Sequence, residues 1–169
     1  MKVILYMAMT VNGYIAKEDD TTPWSDTIWN AYYDFIKQRG NIVLGRRTYE
    51  MMKEINEFEK LGFPTTAVIS NQANNQNQKG VILVPSPGKA IEAIRQNGFE
   101  EMVVGGGSQT NTIFMKNGLI DEIYLDLEPL LFGKGIKLFA DIGKEVKLQL
   151  LEMTKLSENI IRLHYKVLK

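Results

Sequence analysis

From Met1 to Met9 every side chain is apolar except Lys2. A short, uninterrupted run of this kind predicts a strand over Lys2–Met9 that is buried on both faces. Comparable short runs follow at Asn41–Leu44, Thr65–Ile69, Val81–Val84, Met102–Val104 and Ile120–Leu127. Between them the spacing changes to the helical period. Trp29, Tyr32, Tyr33 and Ile36 recur after a candidate N-cap, Ser25, with Asp26 in the first turn and Gly40 as the stop. Further helices are predicted from Arg46 to about Asn56, over Lys89–Gln96 and over Gln109–Lys116; Asn97-Gly98 and Asn117-Gly118 end the last two. Lys147–Leu156 and Asn159–Leu168 alternate, which predicts an antiparallel hairpin. The rest reads as connections. Thr10–Ala16 is a turn built on Asn12-Gly13, Lys17–Thr22 is a polar loop, and Leu130–Gly135 is a loop with Leu138 and Phe139 as apolar anchors beyond it. The Asn/Gln-rich stretch Gln72–Lys79 reads as an exposed loop without chemistry.

Strand–helix units repeated and then closed by a hairpin predict an α/β fold: a mostly parallel central sheet, helices on both faces, and an antiparallel C-terminal edge. No linker or internal repeat divides the chain, so residues 1–169 are expected to form a single domain. In such sheets ligands collect outside the carboxyl ends of the strands. Two strand–glycine–helix turns fall on that rim. One is Val104-Gly105-Gly106-Gly107-Ser108, leading into Gln109 and Thr110; the other is Gly45-Arg46-Arg47-Thr48. Glycine allows close backbone approach, and a helix start offers N–H groups and a positive dipole end to a phosphate. Arginines at the second turn suit bidentate phosphate recognition. Two such turns on one rim suit a dinucleotide, and a spare arginine favours NADP over NAD through its 2′-phosphate.

Composition narrows the remaining choices. Twenty basic residues balance twenty acidic ones. That argues against a nucleic-acid or anionic-membrane binder, which needs an excess of Lys and Arg. There is no cysteine and a single histidine, His164, so no metal site is expected. His164 reads as an outward or satisfied strand residue. The apolar N-terminus is too short for a signal peptide or membrane span, and a cytoplasmic protein is expected.

Several motifs, taken in order, resemble the dihydrofolate reductase superfamily and, within it, the reductase (C-terminal) domain of the riboflavin-biosynthesis deaminase-reductase. They are Met9–Ala16, Pro23-Trp24, Gly45–Tyr49, Val104–Gly107, Asp121–Leu125 and Pro129–Gly135 with Leu138-Phe139. The resemblance covers nearly the whole chain. It implies a dihydrofolate reductase-like three-layer fold, NADPH on the GRxT and GGG turns, and Ala8, Ile15, Ser70 and Asn71 lining the cofactor groove. It also implies a lid over Gly13–Trp24 and a homodimer, for which Leu130-Leu131-Phe132 and the terminal hairpin are candidate contacts. Two positions depart from the pattern. The acid that dihydrofolate reductases carry on the first helix falls on Trp29, and the glutamate before the glycine pair of riboflavin reductases falls on Gly105.

Hydride transfer belongs to the cofactor, while a proton must come from a positioned acid or from water. The candidate acids are Asp26 and Asp126; the resemblance places Asp126 facing the substrate ring. Trp29, Asn30 and Tyr33 are candidates for holding a flat heterocycle, since aromatic faces stack on planar rings. The leading expectation is an NADPH-dependent reductase of a pteridine or pyrimidine-type heterocycle, with a riboflavin-pathway ribosylaminopyrimidine and dihydrofolate as the named substrates. The alternatives are a nucleotide-binding protein without turnover and a dimerising α/β scaffold.

Overall fold

The computed structural model describes residues 1–71 and 79–169. The stretch expected as a polar loop therefore lies outside the described residues except for Lys79. In chain order the elements are β1 (Lys2–Thr10), β2 (Tyr14–Ala16), α1 (Asp26–Arg39), β3 (Asn41–Gly45), α2 (Arg46–Glu54), α3 (Glu57–Lys60), β4 (Thr65–Ile69), β5 (Val81–Val84), α4 (Pro87–Gln96), β6 (Glu101–Val104), α5 (Ser108–Lys116), β7 (Glu122–Glu128), β8 (Ile136–Lys137), β9 (Lys147–Lys155) and β10 (Ile161–Leu168).

Among the described residues, eight strands form one sheet in the order β5-β4-β3-β6-β1-β7-β10-β9. The first six of these neighbours pair in parallel; β10 runs antiparallel to both β7 and β9. The apolar run of β1 is explained by its central place. Val3 and Leu5 pack on the face covered by α4 and α5, through Ala90, Ile94 and Phe114. Ile4 and Tyr6 pack on the opposite face against Phe35 and Ile36 of α1 and Tyr49 of α2. A parallel strand covered on both sides has no solvent face on which to place polar residues.

Helix ends follow their local chemistry. Gly40 takes the left-handed conformation (φ 66°) and returns its N–H to the Ile36 carbonyl at 2.8 Å, closing α1. The helix expected from Lys89 begins at Pro87, because proline suits the first helical position and the Ser86 hydroxyl accepts the Lys89 N–H. The helix expected to reach Asn56 stops at Glu54, because Asn56 adopts φ 54° and starts the separate short helix α3. The turn expected over Thr10–Ala16 contains β2, which pairs antiparallel with β8 just beyond the two-glycine loop. Gly135 permits this pairing; a Cβ there would stand 2.5 Å from the Ala16 carbonyl oxygen.

Every residue of β9 is exposed, and Leu148, Leu150, Leu151 and Met153 lie along this edge strand. Leu131 is exposed as well, whereas Phe132 is buried and stacks on Trp24, so it is not available as an outward contact. No described helix is long and apolar enough to cross a membrane.

Candidate active site

The carboxyl ends of β4, β3, β6 and β1 open into one cavity of about 770 Å³. Both glycine turns reach it. The Gly45 N–H donates to the Gly106 carbonyl at 2.8 Å, which holds the starts of α2 and α5 side by side. Close contact requires small residues here. A Cβ on Gly45 would lie 2.5 Å from the Thr110 hydroxyl oxygen, and one on Gly105 would lie 2.5 Å from the Ile42 side chain. Neither helix start is capped by a side chain, and neither has an acidic residue in its first turn. Two dipole ends of the same sign thus face one space, as an anion-binding site requires.

Of the positions expected for the cofactor, Ala8, Ile15, Gly45, Arg46, Arg47, Thr48, Gly105, Gly107, Ser108, Gln109 and Thr110 line this cavity. Val104 does not; it is fully buried in the sheet core. Gly106 faces away with φ 98°, its carbonyl turned to Gly45. The end of β4 contributes Ile69 in place of Ser70 and Asn71: the Ser70 N–H is used by the Val84 carbonyl, and Asn71 is exposed beyond the strand. Both arginines are ion-paired. Arg46 Nε meets Glu50 Oε1 at 2.6 Å, and Arg47 pairs with Asp20 of the loop that follows β2. That second contact ties the expected lid to the start of α2.

The other half of the cavity is aromatic and apolar, walled by Tyr6, Trp29, Tyr32, Met51, Met52 and Ile55. Trp29 lines it as expected of a ring-stacking residue, whereas Asn30 is exposed on α1 and Tyr33 stacks behind Trp29 at 5.9 Å.

The two aspartates sit elsewhere. Asp26 is exposed at the start of α1. Asp126 is fully buried, and its oxygens are taken by Arg162 (Nε to Oδ1 2.6 Å, Nη2 to Oδ2 2.7 Å) and by the Tyr6 hydroxyl. Neither lines the cavity. The physical reason for Asp126 lies in register. It stands opposite Arg162 of β10 on the sheet face shared with Tyr6, and a buried carboxylate is satisfied by a guanidinium fork. Burial, and then the charge of Asp126, push the Tyr6 phenol well above its ordinary pKa. Burial pulls the Arg162 pKa down, but the hydrogen bonds and charges of Asp126 and Tyr6 outweigh it and the guanidinium stays protonated. Ser25 follows the same logic: rather than cap α1 with its side chain, it gives both its N–H and its hydroxyl to the buried Glu128 carboxylate.

One acid that the sequence did not single out does line the cavity. Glu57 of α3 is 3% exposed. It sits in the run Glu54-Ile55-Asn56-Glu57-Phe58-Glu59-Lys60, whose charge density reads as a solvated surface, so no local signal marks it. His164 is half-buried, stacked on Tyr124 at 3.9 Å and paired with Glu122 at 2.9 Å, and it does not line the cavity. Among the described residues, no group of three or more His, Asp or Glu could hold a metal ion.

The fold agrees with the comparisons to known proteins. The model of the RibD C-terminal domain matches residues 1–162. The chain belongs to the RibD C-terminal domain family. It is 31% identical over 169 residues to the uncharacterized protein YwjB of Bacillus subtilis, covering 97% of each chain. Among solved structures, the putative riboflavin biosynthesis protein from Shewanella sp. PV-4 superimposes with a TM-score of 0.83 at 22% identity, over the whole of both chains. A Thermotoga maritima protein described as a diaminohydroxyphosphoribosylaminopyrimidine deaminase and 5-amino-6-(5-phosphoribosylamino)uracil reductase superimposes with a TM-score of 0.75 at 15% identity. The match takes in 99% of the present chain and 56% of that one. The mostly parallel α/β sheet is thus the one that the element order implied, and its likeness to RibD reductase-like structures is the one that the resemblance implied.

Proposed function

We propose that this RibD C-terminal domain protein is an NADPH-dependent reductase of a pteridine or pyrimidine-type heterocycle. One observation carries the reading: two uncapped helix starts, with Arg46, Arg47 and Thr48, open into the same cavity as an aromatic and apolar half. In this reading the backbone N–H groups at the starts of α2 (Arg46–Thr48) and α5 (Gly107–Thr110) receive the phosphates, and the Arg46 and Arg47 side chains receive the 2′-phosphate. The chemistry supplied by the bound cofactor is hydride transfer to a C=N or C=O carbon. Trp29 and Tyr32 flank the flat ring. Met51, Met52 and Ile55 exclude bulk water. Asp126 acts at one remove, fixing the Tyr6 hydroxyl, and Asp26 serves the first turn of α1. The proton then comes from water.

Calorimetric titration with NADPH and NADH tests the cofactor. Micromolar or tighter binding with NADPH preferred is expected; no heat with either removes the assignment. A second reading, a nucleotide-binding protein without turnover, is favoured by the absence of both aspartates from the cavity wall. Loss of NADPH absorbance that depends on an added pteridine or ribosylaminopyrimidine separates the two. We further propose a homodimer through the apolar β9 edge, since an exposed apolar edge strand invites pairing with another copy. Light scattering on the eluting protein is expected to give the mass of two chains, and the mass of one chain would remove the dimer.

A further inference from the structure

Glu57 offers the cavity something that no other described lining residue does. Its carboxylate is almost completely buried, and Oε1 has no hydrogen-bond partner. Oε2 is reached by Lys60 Nζ at 3.3 Å, from a lysine side chain that is itself 57% exposed. The Tyr33 hydroxyl hydrogen-bonds the same carboxylate, so the open valence is that of Oε1 alone; Tyr32 stands beside it, and Trp29 packs on both tyrosines. A buried carboxylate oxygen without a donor is costly, and native structures hold few of them. The missing donor is supplied most simply by whatever enters the cavity.

Position gives the donor its chemistry. Arg46 and Arg47 open α2 and Glu57 lies just past its end. Nine helical residues put these two ends roughly 13 Å apart. The cavity is therefore polarised: cationic groups and helix starts at one end, and a carboxylate between aromatic rings at the other. We infer that Glu57 receives the amino or ring N–H edge of a flat heterocycle, neutral or cationic, and that a phosphate or carboxylate is rejected at that end. The inference deepens the reductase reading, on which the naming of the other end as a cofactor site rests.

The test is calorimetric, on wild type, E57Q and E57M, each with and without saturating NADPH. The probes are 2,4-diaminopyrimidine, which presents amino donors, and pyrimidine-4-carboxylate, which presents an anion on a ring of the same size. Wild type is expected to prefer the diamine, and both variants are expected to weaken it about tenfold or more, as loss of a charge-assisted hydrogen bond does. The carboxylate is expected to bind the variants better than wild type. NADPH affinity is expected to be the same in all three proteins, which also reports that they are folded. Equal diamine affinity in wild type and both variants overturns the role of Glu57, as does a wild-type preference for the carboxylate. Loss of NADPH binding by wild type would instead strike the cofactor assignment, and the titrations without NADPH would still judge Glu57.

Discussion

Replacing Asp126 by alanine is expected to lower the unfolding free energy by about 3–5 kcal/mol, because a buried guanidinium then loses its counter-charge. Asp126 is fully buried and the Arg162 side chain is only 18% exposed, so solvent screens the pair weakly. The Tyr6 hydroxyl would lose its acceptor in the same step and keep only Arg162 Nη2 at 3.1 Å, a donor that cannot receive its proton. Urea unfolding measures the loss. A paired change to leucine at Asp126 and methionine at Arg162 is expected to recover much of it, since removing both charges leaves nothing unpaired. NADPH affinity is expected to change little in either protein while folded, because Asp126 does not line the cavity. A D126A protein as stable as wild type would show that water or another group satisfies Arg162.

Changing Arg46 and Arg47 together to alanine is expected to raise the NADPH dissociation constant by about a hundredfold or more, since two charge-assisted contacts at roughly 1.5 kcal/mol or more each are lost. NADH should suffer less, because it lacks the 2′-phosphate that a spare arginine accommodates. The existing pairs do not oppose this. Arg47 is 76% exposed in its contact with Asp20, and exposed ion pairs contribute little. A phosphate can therefore replace Asp20 at small cost, which would also free the loop after β2 from α2. Parallel calorimetric titrations of the double variant with both nucleotides, alongside thermal unfolding to show that the fold is intact, decide the point. Unchanged NADPH affinity would remove the arginines from the cofactor site.

The order of apolar runs, the helical spacing after Ser25 and the two glycine turns are local features, and each was legible in the residues themselves. Strand β1 is apolar because it is central, and Gly45 and Gly105 are glycines because neighbouring chains pass within a Cβ's reach. These constraints act at the residue that carries them, so the sequence by itself determined the α/β order, the place of the two glycine turns on the cavity rim and the family. The acids are different. Asp126 and Asp26 were chosen because carboxylates do proton chemistry, yet what a carboxylate does depends on its neighbours in space. Arg162 is 36 residues from Asp126 and Tyr6 is 120 away. Only the pairing of β10 with β7 and of β7 with β1 brings the three together. Glu57 shows the converse. In a run of charges it looks like surface, and only the break at Asn56, with Glu57 brought against Tyr33 of α1, buries it at the cavity wall. Tertiary structure decided which carboxylates meet solvent, which meet an arginine and which line the cavity, because charge is long-ranged and burial is a property of the whole fold.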